Sequence, residues 1–320
     1  MYRSAKVAGQ QAPYDSLTLK VYYPCRFTDS AAERSSGQVP ADANRAPFPI
    51  VILLPEENTP QDCYGWIANE LAQAGLVAVT YSWIYEDRNG QVQTGPGQQR
   101  KRLARKRFGR KPSCPALPIV FAELKRMNRK GPLASYLNLS SVVLGGHGVG
   151  GRMALLNANH DWFPAVCGVF SYGGHLVAEP DQGWDKDAAI PVAPDMPLLL
   201  MGGTEDGILA ADMPGSGDQP ETWAIQHSFK HGIKGKRGDR HLVLVDGASH
   251  FTFAAPRDRT SGRSFLDRRT KGRGKALRKY LAQLVVTFCD QTSCGDPMST
   301  ADLKALTDSR HDMVAHSDHK

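Results

Sequence analysis

Short apolar runs alternate with helical stripes along most of the chain. Pro49-Ile50-Val51-Ile52-Leu53-Leu54 is unbroken apolar sequence ended by Pro55, the pattern of a strand buried on both faces. Leu17–Tyr23 alternates apolar with polar residues and predicts an early antiparallel strand. Asp62 stands where it would cap a helix running through Ala74, and Gly75 is a helix stop. Leu76–Tyr81 predicts the next strand, and Leu117, Val120, Phe121, Leu124 and Met127 recur at helical spacing. Val142–Leu144, Val166–Phe170, Leu198–Met201 and Leu242–Val245 predict four further buried strands. Leu277, Tyr280, Leu281, Leu284, Val285 and Phe288 form the stripe of a closing helix. Strand and helix signals alternating from about residue 48 to 290 predict the α/β class, with a mainly parallel sheet covered by helices.

Two segments break the alternation. Residues 86–115 are polar, carry Gly and Pro, and are long for a connection, so they predict a basic insertion or lid-like loop. Residues 298–320 are polar and His-bearing, and predict a frayed tail. The reading is one domain over 1–290 with a polar tail from 291 to 320; no internal repeat is visible.

Composition changes this picture little. The chain has 320 residues, 41% of them hydrophobic, with no apolar run approaching the roughly 18 residues of a membrane span. Met1–Lys6 lacks the apolar core of a signal peptide, which predicts a cytoplasmic protein. The six cysteines are scattered without the C-x-x-C spacing of a zinc site; Cys289 and Cys294 could close a small loop, but free thiols are expected. Net charge is +7, concentrated in Arg100–Lys111 and more loosely in Arg257–Lys279. These runs read as solvated faces or as contacts for an acidic partner or an acidic membrane surface. Nucleic acid is not expected, since no aromatic interleaving or nucleic-acid motif accompanies the charge.

The informative chemistry lies in Gly146-His147-Gly148-Val149-Gly150-Gly151, between a predicted strand and a predicted helix. Its glycine spacing is that of the nucleophile elbow G-x-S-x-G, with Gly148 where the serine belongs. The same residues formally fit G-x-G-x-x-G, the phosphate loop of a dinucleotide fold. That loop belongs to a first βαβ unit, whereas this one falls mid-chain after at least three strands. Downstream, the strand Leu198–Met201 runs into Gly203-Thr204-Glu205-Asp206-Gly207, and Val243–Val245 runs into Asp246-Gly247-Ala248-Ser249-His250. Upstream, the strand ending at Leu54 opens into Pro55-Glu56-Glu57.

Together these four matches resemble the α/β-hydrolase superfamily, nearest its dienelactone-hydrolase, chlorophyllase and polyester-hydrolase branch. The resemblance covers most of residues 17–290 and implies an eight-stranded-type central sheet and a carboxylic-ester hydrolase. It implies Asp206 as triad acid, with Glu205 as the less suitable neighbour, and His250 as the base. Glu57 N–H and Val149 N–H would form the oxyanion hole. Glu56 departs from the glycine of the family loop. Glu56 and Glu57 either point to solvent or supply an acid or base.

With Gly148 at the elbow no acyl-enzyme can form on residue 148. Three functions follow: an ester hydrolase whose serine was lost by evolution or by mutation, an enzyme in which His250 and Asp206 activate water with Glu56 or Glu57, or a non-catalytic binding or scaffold protein. As given, the chain is expected to be inactive or weakly active as a serine esterase. A small apolar ester or related ligand is the expected partner, with Tyr64, Trp66, Trp83, His147 and Trp184 as candidate lining. No metal or organic cofactor is expected.

Overall fold

The computed structural model describes residues 1–86, 90–192, 194–212, 220–256, 264–268, 270, 272–295 and 297–320. Part of the predicted insertion (87–89) and much of the second basic run (257–263, 269 and 271) therefore lie outside the described residues.

Among the described residues ten strands form one mixed sheet: β1 Tyr2–Lys6, β2 Ser16–Tyr22, β3 Phe48–Leu54, β4 Val77–Glu86, β5 Val92–Gly95, β6 Leu137–His147, β7 Val166–Tyr172, β8 Leu198–Gly203, β9 Arg240–Val245 and β10 Val314–His319. Their order is β1-β2-β4-β3-β6-β7-β8-β9-β10, with β5 hairpinned onto β4. The six strands from β4 to β9 are mutually parallel; β1, β2, β5 and β10 join antiparallel. The expected α/β fold is present, with two more strands than the eight implied.

Period-two alternation explains how both faces are covered. Ile50, Ile52 and Leu54 of β3 pack on one side with the helices Ala116–Arg129 and Val149–Asn157. Val51 and Leu53 pack on the other with the helices Gly65–Gln73 and Gly274–Cys294. Every one of these five β3 side chains is at most 1% exposed.

Two local expectations are corrected. Asp62 does not cap the helix: that helix starts at Gly65 without a side-chain cap, and Asp62 pairs with Lys20 at 2.6 Å. A lone carboxylate near a helix start goes to the cation that the neighbouring strand presents. Residues 298–320 are not a frayed tail. Helix Pro297–Leu306 packs on the long helix Gly274–Cys294, and β10 pairs with β9. Its polar sequence reflects an edge strand with mostly solvent-facing side chains, where the ladder rather than burial supplies order.

The basic insertion makes contacts that its sequence did not announce. Arg100 pairs with Glu179 and Asp181, and Arg105 with Asp185 at 3.3 Å. Phe108 packs edge-on to Trp184, whose Nε1–H donates to Leu103 O at 2.8 Å. Part of the charge thus meets an acidic segment of the same chain some 80 residues away, while Lys101, Lys106, Arg107, Arg110 and Lys111 stay exposed.

Candidate active site

The centre of the sheet places the elbow. β6 lies between β3 and β7 and ends at His147; the chain then turns sharply into the helix Val149–Asn157. Gly148 makes the turn at φ +50° and ψ −117°, a conformation strained for any residue with a side chain. Its N–H donates to Tyr172 O at 2.8 Å, which ties the turn to β7. This is strand, sharp turn, helix in mid-sheet, not the first βαβ unit that a dinucleotide loop requires.

Asp206 follows β8 and is fully buried. His250 follows β9, is 1% exposed, and meets Asp206 through Nδ1 at 2.9 and 3.1 Å. Glu205, the alternative acid, faces Arg268 instead at 3.5 Å. Gly173, at φ +66°, lets β7 end directly against this pair, since a Cβ there would lie 3.1 Å from the His250 ring. His250 Nε2 points to the elbow, 3.0 Å from where a Cβ on Gly148 would stand.

That space is filled by Glu56. A Cβ built on Gly148 would overlap Glu56 Oε2 outright, so a carboxylate oxygen stands within bonding distance of where the side chain of residue 148 would begin. Oε2 accepts from Val149 N–H at 2.9 Å and lies 3.3 Å from His250 Nε2. Oε1 accepts from Glu57 N–H at 2.5 Å. The two backbone donors that the family resemblance assigned to an oxyanion hole thus hold one carboxylate of the chain itself. Glu57 turns its own carboxylate away, to Tyr85 Oη at 2.7 Å. Neither glutamate points freely to solvent.

Charge balance follows. Burial alone would lower the His250 pKa, but Asp206 and then Glu56 outweigh it and hold the pKa well above the ordinary imidazole value. The imidazolium stands between two carboxylates. Beside it, burial first and the His250 charge second push His147 well below its usual value, and burial with Arg152 and His250 brings His175 down to about 3.

The predicted lining residues divide. Tyr64 and His147 are 1% and 0% exposed, and they brace the site from beneath rather than face a ligand. Trp66 Nε1–H donates to Phe253 O at 3.1 Å. The contacts of Trp83 and Trp184 lie elsewhere: Trp83 Nε1–H donates to Tyr14 O at 3.2 Å, and Trp184 fastens the insertion. Sequence reasoning missed Asp267, whose buried carboxylate accepts from His250 N–H at 2.8 Å, Phe251 N–H at 3.1 Å and Ser249 Oγ–H at 2.9 Å. It lies 17 residues downstream in a segment without regular structure, so no periodicity marks it. Among the described residues no group of three or more His, Cys, Asp or Glu is placed to hold a metal ion, and no helix is long and apolar enough to cross a membrane.

No family model and no curated protein matches the sequence. Among solved structures, a ferulic acid esterase from Streptomyces cinnamoneus superposes with a TM-score of 0.53 at 16% identity, covering 95% of this chain and 94% of that one. The chain shares its α/β architecture with that esterase. At such identity the likeness concerns architecture alone.

Proposed function

We propose that this protein is a hydrolase whose reaction runs on Glu56, with His250 and Asp206, in place of an elbow serine. One observation carries the reading: Glu56 Oε2 occupies the side-chain space of Gly148, within reach of His250, while both backbone donors grip its carboxylate. Carboxylates form covalent intermediates that divide one hard step into two easier ones.

In the first step Oε2 bonds to an electrophilic carbon and the leaving group departs with the bonding pair, taking the His250 proton. The product is a glutamyl ester. Esterification removes the Glu56 charge, so His250 loses one of the two anions that raise its pKa and can then act as base. It takes a proton from water as the hydroxide adds to Glu56 Cδ. The Glu57 N–H stabilises the oxyanion that forms on Oε1, and the Val149 N–H faces Oε2, the ester oxygen that departs. Collapse breaks the Cδ–Oε2 bond, the proton of the added hydroxyl passes to the departing oxygen to give the alcohol, and the carboxylate is restored. The net change is R–X plus water to R–OH plus HX.

Because the donors are already engaged, an ester carbonyl would have to displace Glu56 to use them. The substrate that fits is a small apolar molecule with its leaving group on saturated carbon. The same occupancy also favours a second reading, in which Glu56 plugs an inert site kept for binding.

A single turnover in ¹⁸O-water, with a panel of activated esters and alkyl electrophiles, separates these readings. Covalent catalysis leaves the first-turnover product unlabelled and puts ¹⁸O into the peptide bearing Glu56. Label in the product but not in Glu56 replaces the nucleophile with water activation. A panel left untouched supports the plug.

A further inference from the structure

Beneath Glu56 and His250 runs a chain of buried hydrogen bonds whose direction is fixed. His147 Nε2 lies 3.0 Å from His250 O. A carbonyl only accepts, so Nε2 carries the proton. His147 is fully buried, with its ring centroid 4.5 Å from that of His250, and it stays neutral beside that cation. Its Nδ1 is therefore an acceptor, 3.1 Å from Tyr64 Oη, and Tyr64 must donate. The phenol oxygen is then left to accept Glu56 N–H at 2.8 Å. The order is Glu56 N–H, Tyr64 O–H, His147 imidazole, His250 carbonyl, with no ambiguous tautomer.

Position separates this chain from ordinary core filling. Its two ends are the backbones of the two residues whose side chains meet over Gly148, 194 positions apart in sequence. Its middle is the residue just before the elbow. The surroundings are apolar and aromatic, with Phe253 tilted against both Tyr64 and His147. Polar groups in such a cluster stabilise only when all are satisfied, and then they impose one geometry.

We propose that Tyr64 and His147 are positioning residues that hold the main chain of Glu56 in register with that of His250, so that carboxylate and imidazole meet across the side-chain space of Gly148. The proposal rests on the reading of Glu56 and His250 as the reacting pair, but its test needs no turnover. The titratable groups facing His250 are Asp206 on Nδ1, Glu56 on Nε2, His147 on the ring face, Asp267 on the backbone N–H, and His175 nearby. Tyr64 contacts two of these residues, the main chain of Glu56 and Nδ1 of His147, and of the two only Glu56 brings a negative charge to His250. Displacing it changes His250 titration while Asp206 stays in place.

The experiment is NMR of the imidazoles in the wild-type chain, Tyr64→Phe and Tyr81→Phe. Tyr81 is an equally buried tyrosine whose hydroxyl donates to Pro96 O, away from the site. The wild type should show His147 protonated at Nε2 only. Tyr64→Phe should weaken proton binding by His250 about tenfold, and Tyr81→Phe should leave it unchanged. A folded Tyr64→Phe with wild-type His250 titration overturns the proposal. So does an Nδ1-protonated His147 in the wild type, a measurement that needs no variant to fold. The isotope experiment can fail with this chain intact, and the reverse, so the two ideas fall separately.

Discussion

Glu56 Oε2 lies 3.3 Å from His250 Nε2, although the two residues belong to loops at opposite ends of the sequence. The contact puts a carboxylate where a side chain on residue 148 would stand. It also makes position 148 unavailable to any side chain while Glu56 is there.

Gly148→Ser alone should therefore not create an esterase. The serine would meet Glu56 and adopt the turn at a strain of about 1–3 kcal/mol. Glu56→Gly combined with Gly148→Ser removes the obstacle and frees both backbone donors. The double variant should hydrolyse an activated ester at least about 100-fold faster than either single variant. Equal rates in all three would show that the notch is not an esterase site.

Glu56→Gln removes one of the anions that hold the His250 proton. A histidine raised in the fold contributes stability that is complete below its unfolded pKa of about 6.5 and is lost as pH rises through the folded value. His147 and His175 are lowered, so their contribution is present above about 6.5 and is lost as pH falls toward their folded values. Thermal melts should thus decline on both sides of neutrality. Glu56→Gln should flatten the alkaline arm and leave the acid arm; an unchanged alkaline arm refutes the coupling.

Asp267→Asn turns an amide N–H toward donors that now meet a carboxylate. Leaving buried donors unsatisfied costs about 1–3 kcal/mol. Denaturant unfolding should show a loss of that size, and His250 resonances should broaden or split as its loop loosens. Wild-type stability and sharp His250 signals would remove Asp267 from the site.

Deleting residues 314–320 strips β10 from β9 and the Lys320 Nζ donors from Phe229 O and Ile233 O. An uncovered edge strand pairs with other chains. Light scattering should detect concentration-dependent association with a lower Tm. A monomer melting like the full chain would mean that β10 is dispensable.

The parallel strands were legible because burial on both faces leaves unbroken apolar runs such as Ile50–Leu54, and the sharp turn at Gly148 because its glycine spacing is local in the sequence. β1, β5 and β10 were not, since antiparallel edge strands can be polar and short. The order Gly148, Asp206, His250 could be read along the chain, and the structure brings His250 and Asp206 together at Gly148. The glutamates posed a choice that residue order cannot make.

The sequence by itself determined the layered α/β architecture and the loops that meet at its centre, because local hydrophobic period and turn chemistry specify both. Only the tertiary structure decided that Glu56, not Glu57, fills the empty notch, that Tyr64 and His147 face inward, and that Asp267 clamps the His250 loop. Those outcomes depend on which polar groups find partners when distant segments are buried together, and no local pattern encodes that pairing.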